Sequence, residues 1–122
     1  MKTARDPRHL ERIKIMQDLF AWDFNQKTTP INLRSQKIVK NLKKVDKMIT
    51  EAAPTWPIDK INKLDLSLLR QAVFELVIEK EAPPKVIVDE AVELAKKYGS
   101  ESSPSFINGA LGKLISDYKI KT

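Results

Sequence analysis

The sequence predicts an all-α protein, and three observations carry that reading. Apolar residues return at three- and four-residue spacing through successive long stretches. Prolines mark where those stretches stop and restart: Pro54 and Pro57 stand close together, and Pro84 and Pro104 sit where a helix can begin. Asn108-Gly109 would ordinarily suggest a hairpin, yet no alternating pattern flanks it. About six helices are expected in a single domain spanning residues 1–122, with residues 1–7 as a flexible arm.

The first helix begins near Pro7 or Arg8 and runs to about Asn25, with Ile13, Met16, Leu19, Phe20 and, at its end, Phe24 expected to face the core. Lys27-Thr28-Thr29-Pro30 is a turn. A second helix spans about Leu33 to Ala52, with Ile38, Leu42, Val45 and Ile49 on its apolar face. Pro54-Thr55-Trp56-Pro57 ends it, Trp56 is expected to anchor that corner to the core, with base stacking as the alternative, and Ile58–Ile61 fit one short helical turn. The next helix starts at Asp65, read as its N-cap, and carries Leu66, Leu69, Val73 and Leu76. Arg70 lies beside its apolar face, with Glu75 and Glu90 as candidate ion-pair partners.

From Pro84 to Tyr98 the apolar face is wide enough for two neighbours, as in the central helix of a bundle. Gly99 is expected to end that helix in a left-handed conformation. After Ser103-Pro104, Phe106, Ile107, Ala110, Leu111, Leu114, Ile115 and Tyr118 follow at helical spacing, and Gly109 and Gly112 are expected to admit another helix closely.

Composition narrows the chemistry. The chain has no cysteine, which removes disulfides, thiolate nucleophiles and cysteine metal sites. Its one histidine, His9, has no partner for a metal site or a triad. The three glycines make no phosphate-binding loop, and no cofactor is implied. No apolar run is long enough for a membrane span, so a membrane partner is not expected and the cytoplasm is. Enzymatic activity is therefore not expected.

What remains is binding. Lysine and arginine total 22 against 16 acidic residues, a balance that favours polyanions. Arg5, Arg8, His9 and Arg12 cluster at the start of the first helix, where cations oppose the helix dipole. A solvated charge cluster is the plain reading, and a docked anion is the sharper one. Lys37, Lys40, Lys44 and Lys47 form a stripe that is either a solvated face or an auxiliary phosphate-contacting surface. Phe20, Trp22 and Phe106 could stack on unpaired bases, and basic groups beside aromatics suit single-stranded RNA better than duplex DNA.

Three segments carry a family resemblance: DLSLLRQAVFEL (65–76), PPKVIVDEAVELAKKYG (83–99) and SPSFINGALGKL (103–114). Together they resemble the NusB family, and RIKIMQDLFAW near the N-terminus resembles that family's first helix through Arg12, Gln17, Leu19, Phe20 and Trp22. The resemblance implies two packed helical subdomains. It also implies a non-catalytic transcription antitermination factor that binds boxA-type single-stranded RNA of nascent ribosomal RNA transcripts. Its implied partners are NusE, a small-subunit ribosomal protein, and the antitermination complex on RNA polymerase. Arg8, His9 and Arg12 match the RNA-contacting N-terminal region, and Phe106 matches the aromatic residue near the RNA. Asp65, with Glu81 further along the same acidic segment, falls on the NusE side. Some members of the family form homodimers. A ribosomal RNA maturation module and a helical protein–protein adaptor stay open as alternatives.

Overall fold

The computed structural model describes residues 6–122. They form α1 (Pro7–Phe24), α2 (Leu33–Lys40), α3 (Leu42–Ala52), a 3₁₀ turn (Ile58–Lys60), α4 (Lys63–Val73), α5 (Pro84–Tyr98) and α6 (Ser103–Asp117). A π-helical segment, Phe74–Glu79, continues α4. No strand occurs among the described residues, and none of their helices is long and apolar enough to cross a membrane.

The helix everything else leans on is α4. Every residue from Asp65 to Leu76 is buried, and α4 packs against α1, α2, α3, α5 and α6. Helix α5 has the two helical neighbours its wide apolar face requires, α4 and α6, but α4 rather than α5 is the central element. One continuous cluster joins Ile15 and Leu19 of α1, Val45 and Ile49 of α3, Leu68 and Leu69 of α4, Leu94 of α5 and Leu111 of α6. Burying such side chains contributes about 1.5–3 kcal/mol apiece.

Several local expectations need correcting. The cap of α4 is Asn62, not Asp65: its side-chain oxygen accepts from the backbone N–H groups of Leu64 (2.9 Å) and Asp65 (3.3 Å). Asn is as good an N-cap as Asp, and using it leaves Asp65 in the first turn, facing inward. The expected helix 33–52 is two helices that meet at Asn41, whose backbone leaves the helical region (φ −105°, ψ 15°). The Asn41 side chain donates to the Lys37 carbonyl at 2.8 Å, offering the backbone a partner that competes with continued helix.

Gly99 is extended, not left-handed (φ −92°, ψ −168°). Its glycine is required by space, since a Cβ there would stand 2.6 Å from Ser103 Oγ and 2.7 Å from the Ala95 carbonyl oxygen. Gly109 and Gly112, by contrast, face open space and admit no helix. Of the expected N-terminal arm, residues 1–5 lie outside the described residues, while Asp6 caps α1 and Pro7 is its first residue.

Candidate functional site

Two concavities collect the candidate binding residues. The first is a groove of about 420 Å³ walled by Trp56 and Phe106, with Lys60, Asn62, Asp65 and Ser105 among its lining. The chain builds it from breaks. Pro54 and Pro57 flank a turn closed by the Trp56 N–H on the Ala53 carbonyl (3.2 Å), which holds the indole outside the core, 52% exposed. The 3₁₀ turn then presents Lys60, and Pro104 starts α6 so that Phe106 falls in its first turns, half-buried against the core. Trp56 is thus a groove wall, where the sequence suggested a core anchor.

Asp65 is the unusual member. It is only 6% exposed, and its Oδ1 has no hydrogen-bond partner among the described residues. Burial pushes its carboxyl above the ordinary range, and the Ser103 hydroxyl offsets this only in part. A buried carboxylate with one oxygen left without a donor is costly. Asp65 also lines the groove, which places a carboxylate short of donors at its wall.

The second concavity, about 210 Å³, lies at the start of α1 and is lined by Arg8, His9, Arg12, Val86 and Glu90, among others. Asp6 accepts the Arg8 backbone N–H at 2.9 Å, so the helix end has the anionic cap its dipole favours despite the cations around it. That bond holds the Asp6 carboxyl below its ordinary range. The Arg8 side chain is 84% exposed. His9 Nδ1 lies 3.1 and 3.3 Å from the two Glu90 oxygens, which orients the ring.

Arg12 behaves differently from its neighbours. Its guanidinium is buried and donates to both Glu75 oxygens (2.7 and 3.0 Å) and to Glu90 (3.3 Å). Desolvation alone would lower its pKa, but the two carboxylates outweigh that and raise it. Arg12 therefore forms the floor of the concavity and is committed to two carboxylates.

Arg8, His9 and Arg12 are thus brought together, and so are Phe106 and Asp65, but the two groups line separate concavities. Phe20 is in neither: it packs edge-on against Phe24, ring centroids 5.1 Å apart, near the far end of α1. Trp22 is buried, its indole N–H donating to the Thr28 carbonyl (3.1 Å), and offers no face for stacking. Arg5 lies outside the described residues. The four lysines of the stripe are all exposed, two on α2 and two on α3. Glu81 is exposed at the opposite end of the α4–π segment from Asp65, 3.9 Å from Arg34, whose main partner is Glu79.

Arg70 does not pair with Glu75 or Glu90. It binds Asp46 of α3 (3.0 Å) and Asp23 of α1 (3.3 Å). Residues 70 and 75 are five apart, which puts them on different helix faces, whereas partners on one helix lie three or four apart. Asp23 and Asp46 come from other elements, and local spacing gave no sign of them.

Comparison with known proteins follows the same outline. The NusB family model matches residues 33–116. A transcription antitermination protein NusB of Lachnoclostridium phytofermentans is 40% identical over 119 residues, covering 93% of this chain and 87% of the relative. A protein of the same name from Clostridium botulinum (strain Hall) is 38% identical over 116 residues, covering 94% and 81% respectively. Among solved structures, T. maritima NusB superposes with a TM-score of 0.80 at 28% identity, over 96% of this chain and 94% of that one.

Proposed function

The chain belongs to the NusB family of transcription antitermination proteins, and from that premise we propose that it binds boxA-type single-stranded RNA of nascent ribosomal RNA transcripts jointly with NusE. It works in the cytoplasm as one domain, without catalysis, as a subunit of the antitermination complex on RNA polymerase. The observation that carries this reading is the groove in which aromatic Trp56 and Phe106 stand beside buried Asp65, one of whose carboxyl oxygens has no partner among the described residues. Exposed aromatic faces suit unstacked bases. A desolvated carboxylate suits a cationic or N–H group of a protein partner.

Residues expected on the RNA side and the partner side thus share one groove. That arrangement supports a composite surface in which NusE completes the RNA site. Arg8 adds a cationic contact and His9 a polar one at the second concavity, with Arg5 preceding them in the chain. Arg12 braces Glu75 and Glu90 beneath them, so its part is to position rather than to touch RNA.

The test measures binding of a boxA-like strand and a scrambled strand, with and without NusE, at two salt concentrations. The expected result is a boxA preference that strengthens with NusE and weakens with salt. Arg8→Ala and Trp56→Ala should each weaken RNA binding, and Asp65→Asn should weaken the NusE enhancement selectively. Equal affinity for both strands in the presence of NusE would sink the proposal.

A further inference from the structure

The face of α2 and α3 that carries Lys37, Lys40, Lys43, Lys44 and Lys47 has a property its sequence does not display. All five lysines are exposed, and none is in an ion pair among the described residues. The two helices contain only two acids, Asp46 and Glu51. Asp46 is held by Arg70 at 3.0 Å, and Glu51, near the end of α3, accepts the Tyr118 hydroxyl. Elsewhere lysines do find acids, as Lys113 does with Asp117 (2.7 Å) and Lys63 with Asp23 (3.3 Å).

Like charges three and four apart on a helix repel. Lys43 and Lys44 both stand in that relation to Lys47, and Lys37 does to Lys40. Solvated faces ordinarily intersperse both signs; here Asp46 turns to Arg70, and five exposed lysines are left without an ion pair among the described residues. Lys43 to Lys47 span roughly 6 Å along α3, and Lys37 and Lys40 lie across the Asn41 break on α2. Helix α3 itself packs against the 3₁₀ turn that carries Lys60 of the aromatic groove.

We infer that this lysine face holds the sugar-phosphate backbone of RNA that runs on from the segment seated in the groove, extending the footprint without reading sequence. The inference rests on the RNA-binding function proposed above. Phosphate contacts by lysines position a strand and add salt-sensitive affinity but do not discriminate bases.

The experiment uses the full chain with NusE and two RNAs: a short boxA-like strand, and the same strand lengthened at either end with unstructured sequence. The wild-type protein should bind the longer strand more tightly and with a steeper salt dependence. A variant with Lys40→Gln, Lys43→Gln, Lys44→Gln and Lys47→Gln should keep its affinity for the short strand and lose the gain from lengthening. Its slope of log affinity against log salt on the longer strand should fall by about 0.7 for each phosphate contact removed. The matching Lys→Arg variant should retain the gain.

Failure of the wild-type protein to gain from lengthening, or a full gain in the Gln variant, would overturn this inference and leave the groove reading intact. Absence of boxA preference even for the short strand would overturn both. A Gln variant that lost short-strand affinity at unchanged helicity would place the lysines inside the primary site and also overturn the extension.

Discussion

Arg12 holds two carboxylates from two different helices, Glu75 after α4 and Glu90 of α5, with all three groups buried. Removing the cation leaves both acids desolvated, so Arg12→Ala is expected to cost about 3–5 kcal/mol of stability. Arg8→Ala, at an exposed side chain, should stay within about 0.5 kcal/mol. Urea denaturation of the two variants checks the contrast, and equal, small losses would refute the buried-brace reading. Asp65 works in the opposite sense. Its folded carboxyl holds a proton more tightly than the unfolded chain does, so its charge costs stability once ionised, and that cost appears as pH rises above about 4. Asp65→Asn should therefore be more stable than the wild-type protein near pH 7, with the difference shrinking as pH falls toward 4. Melting temperatures across that range decide it. A residue that costs stability where it stands is what a partner-binding acid in a groove would be.

At the scale of elements, the helices themselves were legible because their apolar residues repeat at the period of the structure they form. Their joints were less so. The Asn41 break, the Asn62 cap and the π-helical continuation of α4 each turn on a hydrogen bond or a single backbone angle, which hydrophobic spacing does not encode. The glycines make the point quantitatively. Gly99→Ala must push against Ser103 and the Ala95 carbonyl and should cost about 1–3 kcal/mol. Gly109→Ala sits mid-helix with nothing near its Cβ, and it should stabilise α6 by about 0.5–1 kcal/mol. Thermal denaturation of the pair is the check, and a like-signed effect would contradict the distinction. The site was legible only in parts. Phe106 and Asp65 were identifiable singly through the family resemblance, but their meeting beside Trp56 depends on three chain segments converging, and Trp56 was misread because two flanking prolines fix it outward.

At the scale of the whole molecule, α4 also links its neighbours electrostatically. Arg70, almost wholly buried, reaches Asp23 at the end of α1 and Asp46 in α3, with the Trp22 ring 5.7 Å from its guanidinium carbon. For Asp23, burial alone would raise the pKa. Hydrogen bonds from Gln26, Lys63 and Arg70, with the charge of Arg70, more than offset that and hold it below the usual range. The unfolded chain then takes up a proton at this carboxyl before the folded one does. Its contribution is fully present above the ordinary aspartate value of about 3.9 and is lost as pH falls through the lower, folded value. This is the reverse of Asp65, so the two acids tilt the stability curve in opposite directions over neighbouring pH windows. Asp23→Asn should accordingly be less stable than the wild-type protein at pH 6–7, and the gap should close as pH drops below about 4. Urea midpoints measured from neutral pH down to strong acid test this. A gap that persisted unchanged in acid would mean that the packing of Asp23, rather than its charge on Arg70, is what ties α1 to the central helix.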